Sequence, residues 1–197
     1  MPKLNERTQD PVELFQRFRD VISAGLRVAA PGIIQSVDYK EQTCTVQLAI
    51  RERLNFNGNL EWVEIPLLLD VPFFIYSGGG YCMTLPIQKD DDCLVVFGDS
   101  CIDAWWQSGG VQNQIERRRH DLSDGFAIVG FRSQPNVVRN YSPNTAQLRN
   151  ASGSAYIEIA GDQINIVSTN TTIDGRSFLG HTHGGVQPGG GTTGGVT

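Results

Sequence analysis

Histidine is scarce in this 197-residue chain, and two of its three copies, His181 and His183, flank Thr182 in the stretch GHTHGG. Residues two apart in an extended strand point to the same side. The pair can therefore present two imidazoles together, the commonest kind of metal ligand. Two nitrogens from one chain make a weak chelate. Ahead of a glycine-rich tail the same pair also reads as two solvent-exposed side chains, and the residues alone leave both readings open.

The other reactive side chains form no recognisable catalytic pattern. The sequence has no G-x-S-x-G elbow, H-E-x-x-H helix, P-loop or paired carboxylates in a known setting. His120 is the third histidine, and Asp121 and Asp124 are near it in sequence only. Arg117, Arg118 and Arg119 beside it read as a charged surface loop, and Asp90, Asp91 and Asp92 as a solvated turn. Cys44, Cys82, Cys93 and Cys101 contain no C-x-x-C pair, so they are expected as buried, reduced thiols. Trp105 and Trp106 are adjacent, and in a strand they would face opposite sides, one into a core and one into a subunit interface. A base-stacking role needs a basic surround that DSCIDAWWQSGG lacks. The chain is expected not to be an enzyme.

Three regions must position these residues. Across residues 1–27, Asp10, Pro11 and Glu13 form a helix start, Leu14, Phe18, Val21 and Ile22 recur at helical spacing, and Gly25 is a stop. About four turns are unstable alone, so the apolar stripe must dock on its own domain or on a partner. Residues 28–135 read as strands and turns. Cys44, Val46, Leu48 and Ile50 alternate with Thr43, Thr45, Gln47 and Ala49, and apolar runs follow at 65–71, 82–87, 93–97 and 126–131. About five strands in 100 residues suit a small Greek-key barrel, with an OB-fold leading. Residues 136–197 hold short β-prone pieces in which Ile157 and Ile159 share one parity and Ile164 and Ile166 the other, across the turn Gly161-Asp162. Each piece has too few apolar residues for a core of its own. Copies wound around a common axis would share one interior and pair the exposed edges; a monomeric hairpin is the plainer alternative.

A net charge of −5 disfavours a partner bound by phosphate neutralisation, and no specific nucleic acid is expected. No window of eighteen apolar residues occurs, and MPKLNERTQDP lacks the apolar segment of a signal peptide, so synthesis in the cytoplasm is expected.

Three stretches carry a likeness: LRVAAPGIIQSVD, CLVVFGDSCIDAWWQSGG continued by ERRRHDLSDGFAIVGFRSQP, and GHTHGGVQPGGGTTG. Together they resemble the central baseplate spike of contractile-tailed phages, the short membrane-piercing kind. The resemblance implies an all-β homotrimer with an OB-fold collar at 28–135. A triple-stranded β-helical shaft and tip would follow at 136–197. Each chain would contribute a His-x-His motif, here His181 and His183, to one iron ion on the axis. Six imidazoles fill an octahedral shell, which argues against zinc and leaves other octahedral divalent metals acceptable. The resemblance also implies a tail-hub partner, a place at the baseplate tip of the virion, and passage through a bacterial outer membrane. The alternative is an OB-fold module that binds glycan or nucleic acid and trails a flexible tail. Some large spikes carry a lysozyme domain between collar and shaft, for which there is no room here.

Overall fold

The computed structural model describes residues 11–178 and 180, which fall into two compact units divided between Asn136 and Val137. The first opens with helix α1 (Pro11–Gly25), where the helical periodicity placed it. Asp10, the expected cap, lies outside the described residues. Among the described residues nothing covers the stripe of α1: Phe15 and Val21 are each 72% exposed, and Phe18 and Ile22 are also open.

Five strands then build the core of this unit. They are β1 (Ala29–Asp38), β2 (Thr43–Leu48), β5 (Leu68–Pro72), β8 (Asp92–Phe97) and β9 (Gly125–Val129). Two hairpins interrupt the series, β3 (Glu52–Phe56) with β4 (Asn59–Val63), and β6 (Tyr76–Gly78) with β7 (Tyr81–Met83). The first hairpin turns through Asn57-Gly58, both at positive φ, the conformation that an Asn-Gly hairpin turn requires. The main sheet is antiparallel in the order β5-β2-β1-β8-β9. Its edges meet just past β5, where Phe73 bridges Ala127 in parallel and the Phe74 N–H donates to the Ala127 carbonyl at 2.8 Å.

The alternation read from the sequence is what fills the interior. Cys44, Val46 and Leu48 point inward from β2, and Cys93, Val95 and Phe97 from β8, around Ile34 and Ala127. Each fully buried Val or Ile contributes about 1.5–3 kcal/mol. β1 runs between β2 and β8, and it can do so because residue 32 has no side chain. A Cβ on Gly32 would lie 2.6 Å from Cγ1 of Val46 and 3.1 Å from Sγ of Cys93.

Three local expectations change. The run 82–87 supplies only the short exposed strand β7, and Ile87 alone of its residues joins the core. Cys82 is exposed, whereas Cys44, Cys93 and Cys101 are buried and free. Burial raises the Cys44 thiol to about 12 and the Cys93 thiol to about 11, so both stay protonated and inert. Trp105 and Trp106 lie in a short helix, α2 (Asp103–Ser108), which stops at Gly109 with φ 64°. Helical neighbours are about 100° apart rather than opposed. Trp105 packs edge-on against Phe126 at 5.8 Å, and both indoles stay partly exposed.

Beyond β9 the chain is held back onto β8 by one carboxylate oxygen. Oδ2 of Asp92 accepts from the Ser133 N–H at 2.8 Å, the Ser133 hydroxyl at 2.6 Å and the Asn136 amide at 2.9 Å. These bonds, led by the Ser133 hydroxyl, lower the Asp92 pKa. The charged form is the one favoured by folding. Its stabilisation is therefore complete above the unfolded value of about 3.9 and is lost as pH falls through the lower folded one. The urea midpoint of Asp92→Asn should consequently fall less between pH 5 and pH 2.5 than that of the parent. Equal acid sensitivity in the two proteins would show that the clamp carries no such coupling.

The second unit contains a three-stranded antiparallel sheet, β10 (Ala146–Arg149), β11 (Tyr156–Ala160) and β12 (Gln163–Val167). A small hairpin follows, β13 (Thr172–Ile173) with β14 (Arg176–Ser177). Arg149 pins the preceding segment of its own chain by donating to the carbonyls of Asn140 at 2.6 Å and Arg139 at 2.9 Å.

Candidate functional site

The parity change across Gly161-Asp162 now has a geometric meaning. Ile157 pairs with Ile166 and Ile159 with Ile164, while on the other side Leu148 pairs with Ile157 and Ala146 with Ile159. Directly opposed residues share a face of a sheet. Two apolar rows therefore cross all three strands on one face. Within the unit that face is open: Leu148 is 57% exposed, Ile159 56% and Ile164 71%.

The other face carries most of the polar residues, and it is half-buried along β10 and β11 and at Asn165 of β12, while Gln163 and Val167 on it are exposed. Glu158 sits between two amides there. Its Oε2 accepts from Gln147 at 2.8 Å and its Oε1 from Asn165 at 3.1 Å. These hydrogen bonds, the Gln147 one first, lower the Glu158 pKa. A sheet with one buried face normally turns its apolar side to the core. Here Gln147, Glu158 and Asn165 on the polar side satisfy one another, and the apolar side is left open. An open apolar surface of this kind marks an interaction site.

A second cluster lies in the first unit. Sγ of Cys101 and the carboxylates of Asp103 and Asp124 lie within 4.8 Å of one another, close enough to hold a metal ion. The positive charge among them is Arg118. Its Nη2 is 3.2 Å from Cys101 Sγ, 2.9 Å from Asp103 Oδ2 and 3.1 Å from Asp124 Oδ1, and its Nε donates to Asp124 Oδ2 at 3.1 Å. The Asp124 side chain is fully buried, and its Oδ1 also accepts the Ile102 N–H. The hydrogen bonds to Asp124, then those to Asp103, raise the Arg118 pKa, so the guanidinium is permanently charged. The cluster is a structural pin between the start of α2 and the start of β9. Arg118 is thus not part of a solvated charged loop, as 117–119 had been expected to be. No pattern in RRR says which arginine turns inward; a carboxylate just ahead of a core strand is the signal that one must.

The ring nitrogens of His120 face Arg27 and Asp99. Its Nδ1 is 3.0 Å from the Arg27 carbonyl and its Nε2 is 3.5 Å from Asp99 Oδ1. Asp121 caps the turn Leu122–Asp124 by accepting the Ser123 N–H. Asp90 takes positive φ and Asp91 accepts the Gln88 N–H, so this pair closes the turn before β8. His181 and His183 lie outside the described residues.

Residues 30–130, from β1 to just past β9, match the family described as phage protein Gp138 N-terminal domain. The chain belongs to that family. The match covers the whole five-stranded core together with the Arg118 cluster. It supports a structural role in a phage and a place in the virion. No curated protein matches the chain.

Proposed function

We propose that this phage protein is one subunit of a homotrimeric central spike at the baseplate tip of a contractile tail, driven through the bacterial outer membrane at injection. The observation that carries this reading is the outward apolar face of β10, β11 and β12. Three such sheets around an axis would bury six apolar positions from each chain in one interior, and the same winding would pair the free edges of β10 and β12. The second unit then becomes a triple-stranded β-helical shaft. The first unit is the OB-fold collar that seats on the tail hub. Its strand order and its parallel closure at Phe73 and Ala127 support that fold. The alternative, a binding module with a flexible tail, fits less well, because residues 146–167 are three paired strands.

In this reading iron sits at the apex, on His181 and His183 from each chain, as the resemblance to the spikes implies. The expected content is one ion per three chains by elemental analysis. His181→Ala combined with His183→Ala should remove it while assembly persists, since most shared contact area lies elsewhere. One ion per chain would contradict the tip chemistry proposed. The placement itself is tested by a cryo-EM map of the intact particle, which should show three copies on the tail axis at its distal end. Copies in the capsid, or off the axis, would refute the reading.

A further inference from the structure

Two apolar features of the first unit are left open among the described residues. One is the stripe of α1, in which Phe15, Phe18 and Ile22 recur at the i, i+3, i+7 spacing of a helix that anchors in a groove. Its polar face is self-satisfied by the ion pair of Glu13 with Arg17 at 2.7 Å and by that of Arg19 with Asp20. The other is a cavity of about 390 Å³ between the end of the sheet and the hairpin β6–β7. Its walls include Tyr39, Phe73, Phe74, Tyr76, Met83 and Ile87. Such a volume is within the ~300–1,000 Å³ typical of sites that enclose a ligand. Tyr39 forms one wall, its hydroxyl donating to the Ile87 carbonyl. Phe74, Tyr76 and Met83 on the hairpin side stay exposed.

We propose that α1 of one copy seats its stripe in this groove on the next copy. The inference rests on the trimeric reading above and assigns it a second, collar-level interface. Stripe and groove are chemically matched, both apolar at the centre and free of charge. In its own chain α1 is tethered by residues 26–28 to the N-terminal end of β1, whereas Tyr39 and Gln42 on the groove follow the C-terminal end of that strand. The helix of a neighbour is tethered to its own β1 and need not span the length of this one. A contact between two different patches, repeated around a threefold axis, closes into a ring and leaves no stripe uncovered.

The test uses the full chain with Phe18→Cys and Met83→Cys in a Cys82→Ser background, oxidised and run on a non-reducing gel, with light scattering on the same sample. The expected result is a reducible ladder ending at a covalent trimer, absent from either single-cysteine variant. A particle that is trimeric by light scattering yet gives no ladder, or only a fast-migrating intramolecular band, overturns the helix exchange and leaves the trimer standing. A monomeric particle overturns the trimer itself and this interface with it. Phe18→Asp with Ile22→Asp changes only exposed positions, so the sheet should keep its thermal midpoint. Its trimer dissociation constant should rise at least tenfold, and an unchanged constant would also overturn the proposal.

Discussion

Ile157→Asp is expected to break the assembly apart. Ile157 is the central residue of its row, paired with Leu148 on one side and Ile166 on the other. In the single chain it is 46% exposed, so aspartate there costs the isolated fold little. In a shared dry interior, three carboxylates would face one another without partners. An unpaired polar group buried in this way costs several kcal/mol, and about 4 kcal/mol corresponds to roughly a thousandfold in a dissociation constant. Sedimentation should show the variant as smaller species at concentrations where the parent is intact. Gln163→Asp, on the opposite face, should leave the mass unchanged. Assembly of the Ile157 variant at parental strength would mean that this face is not the shared core.

The second large effect falls inside the collar. Arg118→Ala should destabilise the first unit by about 3 kcal/mol, because removing one partner of a buried ion pair leaves the other charge uncompensated. The charge left behind is Asp124, fully buried, where among the described residues the Ile102 N–H still donates to it. Arg118→Lys should recover little. One ammonium cannot reproduce the side-on contact of Nε and Nη2 with Asp124 while also reaching Asp103. Urea unfolding followed by the Trp105 and Trp106 fluorescence measures this. A loss below about 1 kcal/mol would show that water replaces the guanidinium easily, as at a surface pair.

Much of the fold was legible because it follows from periodicity. The inward sides of β2 and β8 are the alternating residues themselves, and the stripe of α1 is the 3.6-residue repeat. The parity change between Ile159 and Ile164 anticipated a single apolar face, since residues paired across a turn share a side. What stayed hidden depended on tertiary partners. β1 holds Pro31 and Gly32, an unpromising pair for a strand between two others. Proline is tolerated because its carbonyl, and so its missing N–H, points past the end of β2, toward Ala49. Glycine is required by the side chains of Val46 and Cys93 above it. α2 was hidden because two adjacent tryptophans favour a strand on propensity, and only the stop at Gly109 hints at a helix. The inward turn of Arg118 was invisible among three arginines.

The mass of the full-length chain in solution tests the central claim most directly. Equilibrium sedimentation at micromolar concentration should give a single species at about three times the 21.6 kDa of one chain. A compact monomer under those conditions would contradict the account, because the isoleucine face of β11 and β12 would then have nothing to cover it.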